Sequence, residues 1–306
     1  MSTLMAPTRI KLQNVLFATD FSLSTQTILS HVLDLVRHYG ATLYTVHVMP
    51  HMPFVESAAP YPEEIKSSAK QKLAALMASL SLNDVEHKEL IEQGEVAKVL
   101  SRIVRDQGID LIVLGTGGRH GLGKLLLGSV AEEVFRTAEC PVLTIGPHAT
   151  RWEIDGHMQH ILFATDFGDE SLHALPYALS LAEENRSRLT LLHVAPEPRV
   201  PLPEPEPGAM PIIDKDEMLA STQKRLRALV PQGTQLWHEP EYRVEFGPPA
   251  EMIVRTAASA VDMVVLGVKR PAPLTKHLGE GVAYKVSCEA LCPVLSVGVG
   301  YHDRRP

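Results

Sequence analysis

Apolar and polar positions along the first half of the chain predict strands and helices in alternation. Short apolar runs predict five strands, and helical periodicity predicts four helices between them. The predicted strands are 14–19, 41–48, 85–92, 110–115 and 141–146, and the predicted helices are 22–39, 62–82, 95–106 and 129–138. Strands joined by helical crossovers predict a mostly parallel, doubly wound sheet that is covered by helices on both faces.

The second half of the chain repeats the first. Four segments return in the same order: VLFATDFS at 15–22 as ILFATDFG at 161–168, LYTVHVMP at 43–50 as LTLLHVAP at 189–196, DLIVLG at 110–115 as DMVVLG at 262–267, and CPVLTIG at 140–146 as CPVLSVG at 292–298. A duplication of this kind predicts two tandem α/β domains, residues 1–150 and 151–306, linked by the polar segment 151–159. The last strand of each domain would be an edge that needs cover, and the two last strands can pair with each other.

Composition narrows the class of protein. The chain has 306 residues, of which 45% are hydrophobic and 21% charged, and these values predict a soluble protein with ample core. Its net charge of −7 argues against a nucleic-acid partner. We find neither an export signal nor an apolar run long enough to span a membrane. Three cysteines are too few for a disulfide framework, so we predict a reduced, cytoplasmic protein.

The glycine-rich stretch LGTGGRHGLGKLLLGS, residues 114–129, follows a predicted strand and precedes a predicted helix. A dinucleotide fingerprint fails here because His120 stands where the third glycine belongs. A P-loop pattern fails because Leu125 follows the lysine where a serine or threonine should bind magnesium. A third pattern, Gly-x2-Gly-x9-Gly-Ser, is met by Gly115, Gly118, Gly128 and Ser129.

This third pattern has a chemical rationale. Glycines leave backbone N–H groups open to phosphate oxygens, and the start of a helix favours an anion through its dipole. Ser129 and Glu132 also match the capping-box pattern, which specifies a helix start. A purely structural interpretation stays open at this point, because glycines commonly end strands and the alternative role of Ser129 is that of a helix cap alone.

The repeat, the VLFATDFS opening, the glycine pattern and the closing CPVLTIG together resemble the universal stress protein family, as two copies in tandem over nearly the whole chain. The resemblance implies a Rossmann-like fold of the adenine nucleotide alpha hydrolase type, with strand order 3-2-1-4-5. It also implies pairing through the last strands, as a pseudo-dimer within the chain or a dimer of chains. The loop pattern is that of the ATP-binding branch, so the implied cofactor is ATP, alone or with magnesium.

The same resemblance implies roles for individual residues. The residues at the end of the first strand would include Asp20, facing the adenine and ribose, and Val48 would hydrogen-bond the adenine through its backbone. A structural alternative for Asp20 is that it ties down its own loop. Arg119 would screen phosphate charge. The complete predicted set is Ala18, Thr19, Asp20, Val48, Leu114, Gly115, Gly118, Arg119, Gly128, Ser129 and Val130.

The second copy departs from the glycine pattern. Gly267 stands opposite Gly115, but Arg270 replaces Gly118 and Glu280 replaces Gly128. A carboxylate at a phosphate-facing position would repel the ligand, although Asp166 and Val194 are retained on the adenine side. The sequence therefore predicts that ATP is held mainly by the first domain.

Three functions remain in competition at the level of sequence. The favoured one is a nucleotide-dependent regulatory protein of the stress response whose protein partners are unknown. The second is a slow ATPase, although no general base or carboxylate pair for magnesium is evident near the loop. The third is a scaffold that binds no nucleotide. His47 and His193, which recur at one place in the repeat, are predicted to be structural.

Overall fold

The computed structural model describes residues 10–22, 25–49, 63–115, 129–146, 149, 158–197, 215–269 and 281–298. For residues 129, 130 and 136 only the backbone is described. Every structural statement below concerns these ranges. No helix within them is both long and apolar enough to cross a membrane.

The first half folds into alternating strands and helices, as predicted. Its elements are β1 (Asn14–Ala18), α1 (Thr25–Tyr39), β2 (Thr42–Met49), α2 (Glu63–Ala78), β3 (His87–Gln93), α3 (Val96–Gln107), β4 (Leu111–Gly115), α4 (Ser129–Thr137) and β5 (Val142–Ile145). Only α2 ends clearly earlier than its apolar pattern, which continues to Leu82. Serine, asparagine and aspartate dominate the segment after Ala78, and their side chains favour turns over a continued helix.

The second half repeats this order. Its elements are β6 (His160–Ala164), α5 (Asp169–Glu184), β7 (Arg188–Ala195), α6 (Lys215–Leu229), β8 (Glu241–Phe246), α7 (Pro249–Ala257), β9 (Met263–Val268), α8 (Val282–Glu289) and β10 (Val294–Gly298). Each second-half element follows the matching part of the sequence repeat, so the duplication extends to the architecture.

The two halves form one continuous sheet of ten strands in the order β3-β2-β1-β4-β5-β10-β9-β6-β7-β8. Each half has the expected order 3-2-1-4-5 with parallel neighbours. The halves meet where β5 and β10 pair antiparallel, with Leu143 opposite Leu295. The predicted pairing of the two last strands is therefore present within the chain, and it removes both of those edges.

A shared core reinforces this pairing. One hydrophobic cluster combines residues of both halves beneath α1 and α5, including Phe17 and Phe163, which are almost completely buried. A second cluster lies in the first half but takes in Tyr284 and Cys288 from α8. Cys140, Cys288 and Cys292 are buried and form no disulfide, as expected of reduced thiols. The halves therefore share buried apolar surface on both faces of the sheet.

A polar contact also joins α1 to α5. The Tyr39 hydroxyl donates to Glu184 Oε2 at 2.7 Å, and the Ser180 hydroxyl donates to Glu184 Oε1 at 2.7 Å. The backbone N–H of Ile10 in turn donates to Ser180 Oγ at 2.8 Å. Burial, reinforced by the charge and hydrogen bond of Glu184, raises the pKa of Tyr39 well above its ordinary value of 10.0.

We expect Tyr39→Phe to lower the free energy of unfolding by about 2 kcal/mol near neutral pH, because a buried hydrogen bond to a carboxylate is lost. The raised pKa means that the folded state holds the tyrosine proton more tightly than the unfolded chain does. This contribution is complete below pH 10 and declines as the pH rises towards the folded-state pKa. Urea titrations across this range should show the wild-type protein losing stability more steeply than the variant. An equal decline of the free energy of unfolding with pH in the two proteins would contradict the account.

Candidate nucleotide site

The carboxyl ends of β1, β2 and β4 meet where the strand order reverses, which is where ligands bind in open α/β sheets. Ala18 lies beside Leu114 in the register of β1 and β4. Gly115 is the last residue of β4, and Val48 is the penultimate residue of β2. The structure therefore brings these four predicted site residues to one edge of the sheet.

The backbone of Val48 is directed towards the end of β1. In a parallel strand, successive residues point their N–H and C=O groups to opposite neighbours. The carbonyl of Val46 accepts from the N–H of Thr19 at 2.9 Å, and the carbonyl of Met49 accepts from Gly94 beside β3 at 3.0 Å. Val48 shares the direction of Val46, but it lies beyond the last strand residue of β1, Ala18. Its polar groups consequently face the region above the end of β1.

A tight turn follows β1. The Oγ1 of Thr19 accepts from the N–H of Phe21 at 3.0 Å, and Oδ1 of Asp20 accepts from the N–H of Ser22 at 2.9 Å. Phe21 adopts a left-handed conformation with φ of 58°, which is rare for a bulky residue. One carboxylate oxygen of Asp20 thus ties down its own loop, as the structural alternative proposed. Its role toward a ribose stays a prediction.

The second half contains the same turn. Thr165 Oγ1 accepts from the N–H of Phe167 at 2.9 Å, and Asp166 Oδ1 accepts from the N–H of Gly168 at 2.8 Å. Phe167 has φ of 62°. The two aspartates therefore make equivalent local contacts, and any difference in their ligand chemistry must come from the surroundings.

The repeated histidines support these turns. The Nδ1 of His47 lies 2.9 Å from the carbonyl oxygen of Thr19, to which it donates, and its ring packs on Phe21 with centroids 4.3 Å apart. His193 makes the same contacts with Thr165, at 2.8 Å, and with Phe167, at 4.7 Å. The prediction that both histidines are structural is confirmed by these contacts.

Matched glycines of the two halves, Gly115 and Gly267, lie close to the helix that follows the first strand; residues 23 and 24, which match Asp169 and Glu170, lie outside the described residues. An ideal Cβ built on Gly115 would lie 2.8 Å from Cδ1 of Ile28, the flexible end of a side chain on α1. An ideal Cβ built on Gly267 would instead collide with the peptide that joins Glu170 and Ser171, at the start of α5, and at shorter range. Backbone atoms of α5 therefore lie directly against the end of β9.

Hydroxyl contacts link the start of each helix to the turn after the first strand. Thr25 Oγ1 lies 3.1 Å from Thr19 Oγ1 and 3.5 Å from Ser22 Oγ. In the second half, Ser171 Oγ lies 2.8 Å from Thr165 Oγ1 and donates to the carbonyl of Gly168 at 2.9 Å. Each helix is therefore joined to the end of its strand through a side-chain hydroxyl.

The glycine loop falls largely outside the described residues. Gly118, Arg119 and Gly128 lie there, as do Arg270 and Glu280 of the second half. The helix start predicted at Ser129 is confirmed, since α4 begins at that residue, and Val130 lies in its first turn. The predicted capping box depends on the Ser129 side chain and stays a prediction.

Sequence reasoning missed the cations of α6 in the second half. Arg225 lies over the ring of Phe167 at 3.9 Å, and Lys215 lies over Phe246 at 4.8 Å. It also gave no role to Ile28. Contacts of this kind depend on packing between distant segments, and the sequence offers no periodic signal for them. Within the described ranges, no group of three potential metal ligands occurs.

The chain belongs to the universal stress protein family. The sequence model of that family matches residues 11–146 and 157–298. A universal stress protein of Methanocaldococcus jannaschii is 30% identical over 139 residues, which are 44% of this chain and 81% of that protein. Single-domain relatives such as this one therefore match one half of the chain.

Solved structures agree with this assignment. A universal stress protein from Archaeoglobus fulgidus superposes with a TM-score of 0.70, at 18% identity, over 95% of this chain and 100% of its own. That similarity establishes the tandem fold. A universal stress protein solved in complex with cAMP is 20% identical over 44% of this chain and 98% of its own, with a TM-score of 0.33.

Proposed function

We propose that this protein is a nucleotide-dependent regulator of the stress response whose first domain, residues 1–150, binds ATP. The second domain, residues 151–306, would bind ATP weakly or not at all. The observation that carries the proposal is the glycine pattern that begins at Gly115, the last residue of β4, and that Arg270 and Glu280 interrupt in the second half. A carboxylate such as that of Glu280 would repel the phosphates of a nucleotide.

The geometry at the end of β1 supports an adenine nucleotide in the first domain. The backbone N–H and C=O of Val48 face the region above that strand end, where they can hydrogen-bond the edge of a base. The glycine pattern that starts at Gly115 supplies backbone donors for phosphates, and α4 adds the positive end of its dipole at Ser129. Asp20 follows β1 at the same edge of the sheet, and its carboxylate would hydrogen-bond a ribose hydroxyl.

ATP would act through the populations of conformations. A ligand that binds one arrangement of the glycine loop and the neighbouring helices shifts the protein towards that arrangement, and partner proteins could then recognise it. The residues of this chain would bind and orient the nucleotide. Magnesium would neutralise part of the phosphate charge when bound with ATP. Sustained turnover above about 1 per second would instead indicate a dedicated enzyme.

We expect Asp20→Ala to abolish most of the rise in melting temperature that ATP produces, whereas Asp166→Ala should leave it intact. The comparison is well matched because each substitution removes the same turn contact, to Ser22 or to Gly168. Each substitution should therefore lower the free energy of unfolding by about 1 kcal/mol in the absence of ligand. Differential scanning fluorimetry with and without Mg-ATP measures both effects.

Three outcomes would contradict parts of the proposal. Equal loss in both variants would indicate two nucleotide sites. Retention of the full shift in both would limit Asp20 to holding its own turn. If ATP shifts neither the wild-type protein nor the variants, the chain is a scaffold of the same fold that binds no nucleotide.

A further inference from the structure

The outer strand of the second half presents an open edge. β8 lies at one end of the ten-strand order, and within the described residues its only neighbour in the sheet is β7. The N–H of Gly247, directly after β8, donates to the carbonyl of Ala195 in β7 at 3.0 Å. Because successive residues of a strand direct their polar backbone groups to opposite sides, odd-numbered residues of β8 also face β7 and even-numbered ones face outwards. The outward set is Tyr242, Val244 and Phe246.

The side chains of β8 are symmetric in charge about Val244. Arg243 precedes it and Glu245 follows it, and both lie on one face of the sheet, where Arg243 Nε donates to Glu245 Oε1 at 2.7 Å. These two side chains are 41% and 31% exposed, so a second molecule can reach them. Aromatic rings flank Val244 on the opposite face, with Tyr242 before it and Phe246 after it.

We propose that β8 pairs antiparallel with β8 of a second copy of this chain, with Val244 opposite Val244. The outward-facing residues then form the hydrogen-bonded pairs of the ladder, each exchanging both of its N–H···O=C bonds. Each Arg243 lies opposite Glu245 of the other copy, and each Tyr242 lies opposite Phe246. Opposite charges and aromatic pairs that face each other directly across a ladder both stabilise it. The contact is self-complementary and two-fold symmetric, so it closes as a dimer.

The charge pattern favours this register over the alternatives. A register centred on Arg243 or on Glu245 would place like charges opposite each other, which destabilises a ladder. A register centred on Tyr242 or on Phe246 would pair only half of β8 with strand residues. Charges on an edge strand commonly prevent association. Here their opposite signs on the two sides of Val244 make the same side chains complementary to a second copy.

Exchange of the charges tests this pairing. Sedimentation equilibrium should give the wild-type protein a mass near twice the 33.6 kDa of one chain. Arg243→Glu and Glu245→Arg each place like charges opposite one another on both sides of Val244, so each should weaken dimerisation by at least about tenfold. An equimolar mixture of the two variants should dimerise again, because the glutamates of one variant then face the arginines of the other. The double variant R243E/E245R should dimerise like the wild-type protein.

A proline substitution tests the backbone bonds of the ladder. Val244→Pro removes an N–H that faces outwards, so it should abolish the dimer and leave the pairing with β7 intact. Glu89→Pro is the matched control at the other end of the sheet. The N–H of Gly94 donates to Met49 of β2, so by the same alternation Glu89 faces outwards from β3. Glu89→Pro should leave the dimer unchanged, and circular dichroism verifies that each variant folds.

Several results would overturn the inference. One is a wild-type protein that stays a monomer throughout the micromolar range. Another is a dimer that survives both single charge variants or that Glu89→Pro dissociates, because the contact would then lie elsewhere. If Val244→Pro fails to fold, the mixture of the charge variants decides, and no recovery of the dimer on mixing counts against pairing through β8. All of these measurements are made without nucleotide, so their outcome is independent of the proposed ATP site.

Discussion

Gly267→Ala is expected to lower the free energy of unfolding by about 3 kcal/mol or more, and Gly115→Ala by about 1 kcal/mol or less. At Gly267 the new methyl group would collide with the backbone between Glu170 and Ser171, so the whole start of α5 must move. At Gly115 the atom of the described residues that the methyl group would meet is Cδ1 of Ile28, a side-chain end that can adjust by a rotamer change. Equilibrium urea unfolding of the two variants measures the difference.

The two glycines form a matched pair, since they align in the repeat; Gly115 is the last residue of β4 and Gly267 the penultimate residue of β9. Comparable costs at both sites would mean that α1 and α5 approach the sheet equally closely. A large cost confined to Gly267 would support a second strand end that is covered by helix backbone.

Gly118→Glu is expected to weaken ATP binding at least about 100-fold, which corresponds to a loss of about 2.7 kcal/mol. The substitution places a carboxylate in a loop whose proposed task is to bind phosphates, and like charges repel. It also adds a side chain where backbone N–H groups must be reached. Calorimetric titration with ATP, in the presence and absence of magnesium, measures the change.

Arg270→Glu is the matched control for this substitution. It introduces the same carboxylate at the equivalent position of the second half, and it should leave ATP affinity nearly unchanged. A strong effect of Arg270→Glu would relocate the nucleotide to the second half, or divide it between both. Full affinity in Gly118→Glu would exclude the glycine loop from the site.

Much of this fold could be predicted because buried parallel strands carry a strong sequence signal. β1 and β4 are covered on both faces, so they read as uninterrupted apolar runs bounded by polar residues. The repeat extended each predicted element to the second half of the chain. It also indicated that the last strands of the two halves pair with each other. The weakest prediction was the end of α2, where a few apolar residues continue beyond Ala78 into a turn.

Other features could not be predicted, because they depend on contacts between distant segments. The bond from Tyr39 to Glu184 joins residues that are far apart in sequence and have ordinary local patterns. The left-handed Phe21 is held by side-chain contacts that no periodicity reveals. Ile28 resembles a routine apolar position of a helix, and its contact with the end of β4 is apparent only when the helix is placed on the sheet.

The central claim is that one chain binds one adenine nucleotide, in its first half. The most direct measurement is to purify the protein without added nucleotide, denature it, and identify and count the released small molecules by chromatography and mass spectrometry. Titration of the purified protein with ATP then counts the sites that carried no nucleotide. The account predicts that released and titrated nucleotide together approach one per chain for wild type and fall close to zero for Gly118→Glu. Two nucleotides per chain would contradict the assignment to one half, and none, with no thermal shift from Mg-ATP, would contradict nucleotide binding altogether.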